Sequence, residues 1–263
     1  MLPRIDRDQL IIVYMTAEHN DELMAENPPI MRRKFGDPAV DADMVLSTNN
    51  SAKYWDIYKD IVQLSFRHMG VNHHFLLCDD PDHKDIPPER GRVVTICSSE
   101  EEVVRKGFDF LWGVYGGENN DGKTAFYRLL AGWETHRTVW PLLVNRALKY
   151  RIKVPSAMLT DPERRWPTVY GLVDLSTMYS QAGGNSRYMP SLADVLRFWE
   201  FWEDGMGPMP ANVRDMLCVD VPGVLKWVEP YLVGMDEVMM HYYSVPEPVH
   251  SELAGLPVPE FKP

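Results

Sequence analysis

The chain has 263 residues, of which 45% are hydrophobic and 25% are charged, and its formal net charge is −11 at pH 7. This balance is typical of a globular protein, and the length suits a single α/β domain. A chain this acidic is not expected to coat duplex nucleic acid by neutralising phosphates, although a small pocket for one strand end is compatible with the charge. The sequence has no run of about 18 apolar residues, so we predict no membrane span.

The three cysteines, Cys78, Cys97 and Cys218, are far apart in the sequence. Their odd number and wide spacing favour reduced thiols in apolar surroundings over a disulfide framework. The short apolar run at residues 10–15 is not followed by a small-residue cleavage site, and we interpret it as a buried strand and not as a signal peptide. Together these features predict a cytoplasmic protein with no membrane partner.

The N-terminal part of the chain predicts a series of strands joined by polar loops. Strands are expected where apolar and β-branched residues cluster, at residues 9–15, within 53–69, and at 71–78 and 92–97. The polar, proline-containing stretches between them, at residues 21–51 and 79–91, are typical of loops.

The rest of the chain predicts helices interleaved with short strands. One helix begins near Ser98, because Ser98 or Ser99 can cap it and Glu101 or Glu102 completes a capping box. Further helices are expected at 140–150, at 191–202 with Ser191 as its cap, and at 221–243 with a kink or division at Pro230; strands are expected at 129–132 and 169–175. The order predicts an α/β layer fold with a mixed sheet, in one domain over residues 1–245, followed by a proline-rich tail at 246–263.

Six segments of the chain, taken in order, carry a resemblance to a known family. They are IIVYMTAE, SSEEEVVRKGFDFLW, LLAGWETHRTVWPLLVNRALKYRIKVP, VYGLVDLSTMY, PSLADVLRFWEF and VEPYLVGMDEVMMHYY. In this order and spacing they resemble the DnaQ-like 3′–5′ exonucleases, especially the branch related to the proofreading domain of family B DNA polymerases. The resemblance covers roughly residues 9–243 and implies a ribonuclease H-like α/β fold, with a mixed sheet flanked by helices.

The resemblance implies a two-metal nuclease site. Four carboxylates in that family hold two Mg²⁺ or Mn²⁺ ions about 4 Å apart, and one ion activates water while the other stabilises the leaving oxygen. The first strand supplies two of the acids, a Phe-Asp element supplies the third and the closing helix supplies the fourth. Because Mg²⁺ requires hard oxygen ligands, apolar side chains cannot replace these acids.

This chain departs from the family pattern at most of the acid positions. Aligning YMTAE with FDIET places Met15 and Ala17 where the strand acids are expected, and aligning TVWPLL with FDLPFL places Val139 at the third position. Asp236 matches the fourth position and is the one metal ligand that the resemblance retains. One carboxylate cannot hold two divalent cations against their hydration. We therefore expect a degenerate site that needs no cofactor, in a module that binds nucleic acid or a protein partner.

Two other functions stay open. Glu18 and Glu134 could join Asp236 in a rearranged set of acids, which would make an active 3′–5′ exonuclease that needs Mg²⁺ or Mn²⁺. The stretch from Gly117 to Thr124 satisfies G-x-x-x-x-G-K-[ST], the pattern of a phosphate-binding loop, and would make a nucleotide-binding protein. Its context is unfavourable, because a predicted helix precedes it and its own acidic residues repel phosphate.

The candidate contacts to a single-stranded nucleic acid end are Trp133, Arg137 and Lys149. A solvated helix C-terminus that favours cations is the simpler explanation for the basic residues. The aromatic run RFWEFWEDG at residues 197–205 predicts core packing, whereas an exposed part of it would mark a partner surface or a base-stacking platform.

The stretch VNHHFLLCDDPDH forms a loose cluster of histidines and a cysteine. Zinc sites usually show tighter paired spacings than this one. His73 and His74 are adjacent, so on a strand their side chains point to opposite faces. We therefore expect one packed and one exposed histidine in preference to a zinc site.

Overall fold

The computed structural model describes residues 7–26, 58–78, 86, 89–115, 129–154, 172–181, 190–201 and 212–244. The predicted phosphate-binding loop at 117–124 and the C-terminal tail lie outside these residues. The described part of the chain folds as one mixed α/β sheet with helices on both faces. No helix within the described ranges is long and apolar enough to cross a membrane.

Six strands make up the sheet that the structure describes, in the order β4-β3-β2-β1-β5-β6. They are β1 Leu10–His19, β2 Lys59–His68, β3 Val71–Leu77, β4 Arg92–Cys97, β5 Leu129–Gly132 and β6 Leu172–Asp174. The first three pair antiparallel, whereas β5 and β6 run parallel to β1, and β4 runs parallel to β3. The predicted α/β class with a mixed sheet is therefore confirmed.

The helices cover the two faces of this sheet and its ends. They are α1 Asp21–Glu26, α2 Glu100–Tyr115, α3 Trp140–Lys149, α4 Leu175–Gln181, α5 Leu192–Phe198, α6 Val213–Leu217 and α7 Val221–Ser244. A short 3₁₀ turn at Arg7–Gln9 precedes β1, and a π-helical turn at Thr135–Val139 leads into α3.

The predicted helix caps are present. Ser99 Oγ accepts a hydrogen bond from the backbone N–H of Glu102 at 3.2 Å, at the start of α2. Ser191 Oγ accepts from the N–H of Asp194 at 3.2 Å, at the start of α5. Both contacts satisfy an N–H group that has no partner within its own helix.

Helix α2 covers one face of the sheet. Gly107 lies so close to β2 that a Cβ there would be 2.3 Å from Leu64 Cδ2, and the Phe66 and Phe110 rings stack with centroids 5.0 Å apart. Helix α7 covers the opposite face, where the rings of Tyr14 and Tyr231 stack at 5.6 Å. Alternate residues of β1 and β2 therefore face different helices.

Several predicted boundaries differ in the structure: β1 extends to His19 beyond the predicted end at residue 15, and α5 ends at Phe198 before the predicted end at residue 202. The structure does not divide α7 at Pro230, because a proline removes only one helical hydrogen bond and buried residues such as Val228 and Leu232 hold both sides against the sheet. The strand expected at 169–175 ends at Asp174, because the Asp174 carboxylate accepts from the N–H of Ser176 at 2.9 Å and starts α4.

Candidate functional site

The carboxyl ends of β5 and β6 form the edge of the sheet where the sequence predicted a site. A Cβ on Gly132 would lie 2.6 Å from the Val13 carbonyl oxygen, so this close strand contact requires glycine. Glu134 follows in the left-handed region, with φ of 52°. Its carbonyl accepts from the N–H groups of Arg137 and Thr138 at 3.2 and 2.9 Å, and the chain turns into the π-helical segment. Such π turns are frequent at functional sites.

Asp174 joins the two loops at this edge. Its Oδ2 accepts from the backbone N–H of His136 at 2.9 Å, while its Oδ1 accepts from the Ser176 hydroxyl at 2.6 Å. This buried carboxylate therefore fixes the turn after β5 and leaves the side chains of His136 and Arg137 exposed. In open α/β sheets, ligands bind outside the carboxyl ends of the strands.

Apolar side chains occupy the three positions where the resemblance expects acids. Val139 is buried, and Met15 and Ala17 are partly buried against the same hydrophobic core. These positions contribute packing area and offer no oxygen ligand to a divalent cation.

Glu18 lies at the carboxyl end of β1, where its carboxylate accepts from the backbone N–H groups of Val213 and Arg214. The neighbouring strand places Asp60 directly opposite Glu18, and Asp60 accepts from the side chains of Asn20 and Arg214. Glu18 therefore holds the first turn of α6 against the sheet.

Asp236 is bound by two arginines. Arg67 Nε donates to Asp236 Oδ2 at 2.9 Å, Arg7 Nη2 lies 3.6 Å from the same oxygen, and the Asp236 side chain is only 5% exposed. Arg67 pairs with Ile12 near the start of β1. From residue 12 to residue 18 the strand extends roughly 20 Å, so Asp236 and Glu18 are bound at distant parts of β1.

The structure does not bring Glu18, Glu134 and Asp236 together. Glu134 follows β5, whereas the other two acids are bound near opposite ends of β1. Within the part of the chain that the structure describes, no group of three or more His, Cys, Asp or Glu side chains could hold a metal ion. Two-metal catalysis needs its carboxylates around ions about 4 Å apart.

The sequence alignment could not fix the position of Asp236 along α7. Tyr231 is the residue of this helix that stacks on Tyr14, next to the first expected acid position. From residue 231 to residue 236 the helix advances roughly 7.5 Å. Asp236 therefore lies closer to the start of β1 than Tyr231 does, beside Arg67.

A buried row of hydrogen-bonded polar side chains, not predicted from the sequence, crosses the sheet beneath α7. Thr16 Oγ1 donates to Gln63 Oε1 at 3.2 Å, and Gln63 Nε2 donates to Ser65 Oγ at 3.0 Å. All three side chains are buried. Gln63, Ser65 and Arg67 alternate along β2, and this period of two was the available signal for a polar stripe on one face.

The row continues through His74 to an ion pair at the surface of the sheet. Ser65 Oγ lies 2.8 Å from His74 Nδ1, and His74 Nε2 lies 3.2 Å from Glu229 Oε1. Arg92 Nε donates to the same Glu229 oxygen at 2.6 Å. With the proton on Nε2, His74 accepts from the Ser65 hydroxyl and donates to Glu229, so the hydrogen bonds from Ser65 to Glu229 run in one consistent direction.

The two adjacent histidines face opposite sides, as predicted, but the expected exposure of one of them is wrong, because both are at least partly buried. His74 is fully buried beneath α7, whereas His73 is partly buried and its ring centroid lies 4.5 Å from that of Phe110 on α2. The third histidine of the predicted cluster, His83, lies outside the described residues.

Glu229 gives the protein an acid-sensitive contact. Burial alone would raise the pKa of Glu229, but hydrogen bonds from Arg92 and His74 outweigh it and lower the pKa from 4.5 to about 2. The carboxylate therefore contributes to stability above about pH 4.5, and this contribution is lost as the pH falls from there towards 2.

We expect Glu229→Gln to lower the free energy of unfolding by about 2 kcal/mol at neutral pH, because Arg92 loses its charged acceptor. The difference from wild type should shrink between pH 4.5 and pH 2.5, measured by urea unfolding at each pH. Glu237→Gln, an exposed acid on the same helix, is the control and should match wild type. A difference that does not change with pH would contradict this role of Glu229.

The predicted nucleic-acid contacts lie in two places. Trp133 and Arg137 flank the turn after β5, the first partly buried and the second exposed. Lys149 lies at the other end of α3, roughly 18 Å away at 1.5 Å per residue from residue 137. Its ammonium group is 3.7 Å from Glu100 and 4.8 Å from the centre of the Tyr150 ring.

The aromatic run after Ser191 is not wholly packed in the core, which corrects the prediction for one of its members. Phe198, the last residue of α5, is 77% exposed, although Val195 and Leu196 on the same helix are buried. Its neighbour Trp199 contacts the Tyr179 ring of α4, with centroids 6.2 Å apart.

The chain matches no protein-family model and no curated protein.

Proposed function

We propose that this chain is a DnaQ-like protein without efficient two-metal nuclease activity, and that it serves as a binding module for a single-stranded nucleic acid end or a protein partner. The observation that carries the proposal is the state of the remaining acids. Asp236 is held by arginine side chains, and Glu18 is held by the first turn of α6. A carboxylate committed to such donors is not available to replace the hydration shell of Mg²⁺.

The arrangement of the sheet supports the family part of the proposal. The three antiparallel strands β1, β2 and β3, followed by β5 and β6 parallel to β1, are compatible with a ribonuclease H-like arrangement. Fold alone does not assign activity, so the functional part rests on the side chains at the sheet edge.

The binding part of the proposal rests on the exposed residues near the carboxyl ends of β5 and β6. Arg137 presents a cation beside the turn that Asp174 fixes. Helix α4 begins directly after Asp174, and its Tyr179 ring contacts Trp199, the residue next to the exposed Phe198. A cation for phosphate and an aromatic ring for stacking are the two elements of sequence-tolerant single-strand binding.

We expect Arg137→Ala and Phe198→Ala each to weaken binding of a fluorescently labelled single strand about tenfold, because stacking and phosphate contacts each contribute about 1–2 kcal/mol. Fluorescence anisotropy at two salt concentrations measures the affinity, and the Arg137→Ala effect should be larger at low salt. Matched controls are Leu148→Ala, which removes another exposed apolar side chain, and Arg105→Ala, which removes another exposed cation.

Equal losses in the control and test variants would show that binding is non-specific and would contradict this surface. If the wild-type protein does not bind a DNA or an RNA strand, the nucleic-acid part of the proposal is wrong. The same exposed side chains would then be tested against protein partners.

A further inference from the structure

Two cysteines that are distant in sequence meet in the folded protein. Cys78 directly follows β3 and is buried, whereas Cys218 ends α6 and is partly exposed. Their sulfur atoms are 3.9 Å apart, although the residues are 140 positions apart in the chain. Both thiols are reduced in this structure.

The third cysteine has a different environment. Cys97 lies on β4, fully buried, with its sulfur 3.8 Å from the Thr95 carbonyl oxygen. Burial, with a smaller contribution from Glu102, raises the pKa of the Cys97 thiol to about 12, so its reactive thiolate form is rare at neutral pH. Cys97 is therefore an internal control for the reactivity of the other two.

We propose that Cys78 and Cys218 form a redox-active dithiol, which a small-molecule disulfide oxidises to an intramolecular disulfide. The sulfur atoms, 3.9 Å apart, need to approach each other by about 2 Å to reach the length of a disulfide bond. Cys218 is the entry point because it is the more exposed residue of the two, and Cys78 is the resolving thiol.

The exchange proceeds in two balanced steps. The Cys218 thiolate attacks one sulfur of the small disulfide, which forms a mixed disulfide and releases one small thiolate. The Cys78 thiolate then attacks the Cys218 sulfur, which forms the Cys78–Cys218 bond and releases the second small thiolate. The two protons lost by the cysteines end on the two released thiols, and two electrons pass from the protein to the small disulfide.

The cross-link would join α6 to the end of β3. Helix α6 also carries the N–H groups of Val213 and Arg214 that bind Glu18. Oxidation would therefore lock the helix that covers the carboxyl end of β1. This inference does not depend on the proposed function, because it concerns the thiols and not the candidate binding surface.

The test uses the full chain incubated with glutathione disulfide, followed by alkylation and tryptic peptide mapping without reduction. Cleavage after Lys and Arg places the three cysteines on different peptides, residues 68–84, 93–105 and 215–226. We expect one linked species that joins the first and third peptides, with the loss of two hydrogens. The linked protein should melt roughly 5–15 °C higher than the reduced protein, because the bridge closes a long loop.

Three variants separate the steps. Cys97→Ser should form the link as wild type does. Cys78→Ser should accumulate a stable mixed disulfide of glutathione on Cys218, and Cys218→Ser should form no link. A wild-type protein that carries glutathione on Cys218 without forming the link would overturn the proposal. So would a protein that remains fully reduced, or one in which Cys97 joins either partner.

Discussion

Replacing Glu100 by alanine is expected to lower the free energy of unfolding by about 3–5 kcal/mol, because it leaves a buried guanidinium without its counter-charge. Glu100 is 6% exposed at the start of α2, and its Oε1 accepts from Arg146 Nε at 2.7 Å. The same oxygen accepts from the backbone N–H of Ile61 at 2.9 Å, and the Tyr150 hydroxyl donates to Oε2. Glu100 therefore connects α2 with β2 and α3.

Urea unfolding of Glu100→Ala beside Glu101→Ala measures this contribution. Glu101 is the next residue of α2, about half exposed, and forms an ion pair with Arg105 one helical turn away. Exposed pairs of this kind contribute less than about 1 kcal/mol. Similar losses in the two variants would contradict the assigned role of Glu100, because its burial would then have no energetic consequence.

Asp236→Ala is expected to destabilise the protein by about 3 kcal/mol, because the partly buried side chain of Arg67 loses its charged acceptor. Replacing a catalytic acid by alanine is expected to change the stability in the opposite direction. Active-site carboxylates usually cost stability, so their removal leaves the fold unchanged or more stable. The sign of the change therefore distinguishes a structural Asp236 from a metal-binding one.

A double-mutant cycle with Arg67→Ala isolates the pair. We expect a coupling energy of about 1–3 kcal/mol, because either single change already breaks the interaction. If the losses of unfolding free energy in the two single variants add up to the loss in the double variant, the two side chains do not interact in solution. Chemical denaturation measures all four proteins, and circular dichroism checks that each is folded.

Local patterns predicted most of the secondary structure. The apolar, β-branched segments became β1, β3 and β4, the serine caps began α2 and α5, and the helix at Trp140 began where periodicity placed it. These signals come from residues that are neighbours in the sequence, so local propensity and periodicity suffice to detect them.

The candidate site was less predictable, because its contacts join residues that are remote in sequence. The partner of Asp236 is Arg67, 169 positions away, and Glu229 meets Arg92 at a separation of 137. A helix that is shifted along a sheet by one turn changes which acid faces which strand, and no local pattern reports that shift. The contact between Cys78 and Cys218 was missed for the same reason.

The exposed ring of Phe198 shows another limit of sequence patterns. Phe198 lies three residues after the buried Val195, a spacing that suits a packed face, yet the helix ends at Phe198 and its side chain is 77% exposed. Whether an aromatic residue near a helix end is covered depends on the segments that pack beside it. Exposure of this kind is a property of the tertiary structure and not of the local sequence.

The most direct test of the account is a nuclease assay of the purified protein with a 5′-labelled single strand in Mn²⁺. The parallel variants are Asp236→Asn, Glu18→Gln and Glu134→Gln, each checked to be folded at the assay temperature. The account predicts a strand of unchanged length with every protein, because the remaining acids do not share one site. Stepwise shortening by the wild type that is lost in any of these folded variants would contradict it and would assign that acid to catalysis.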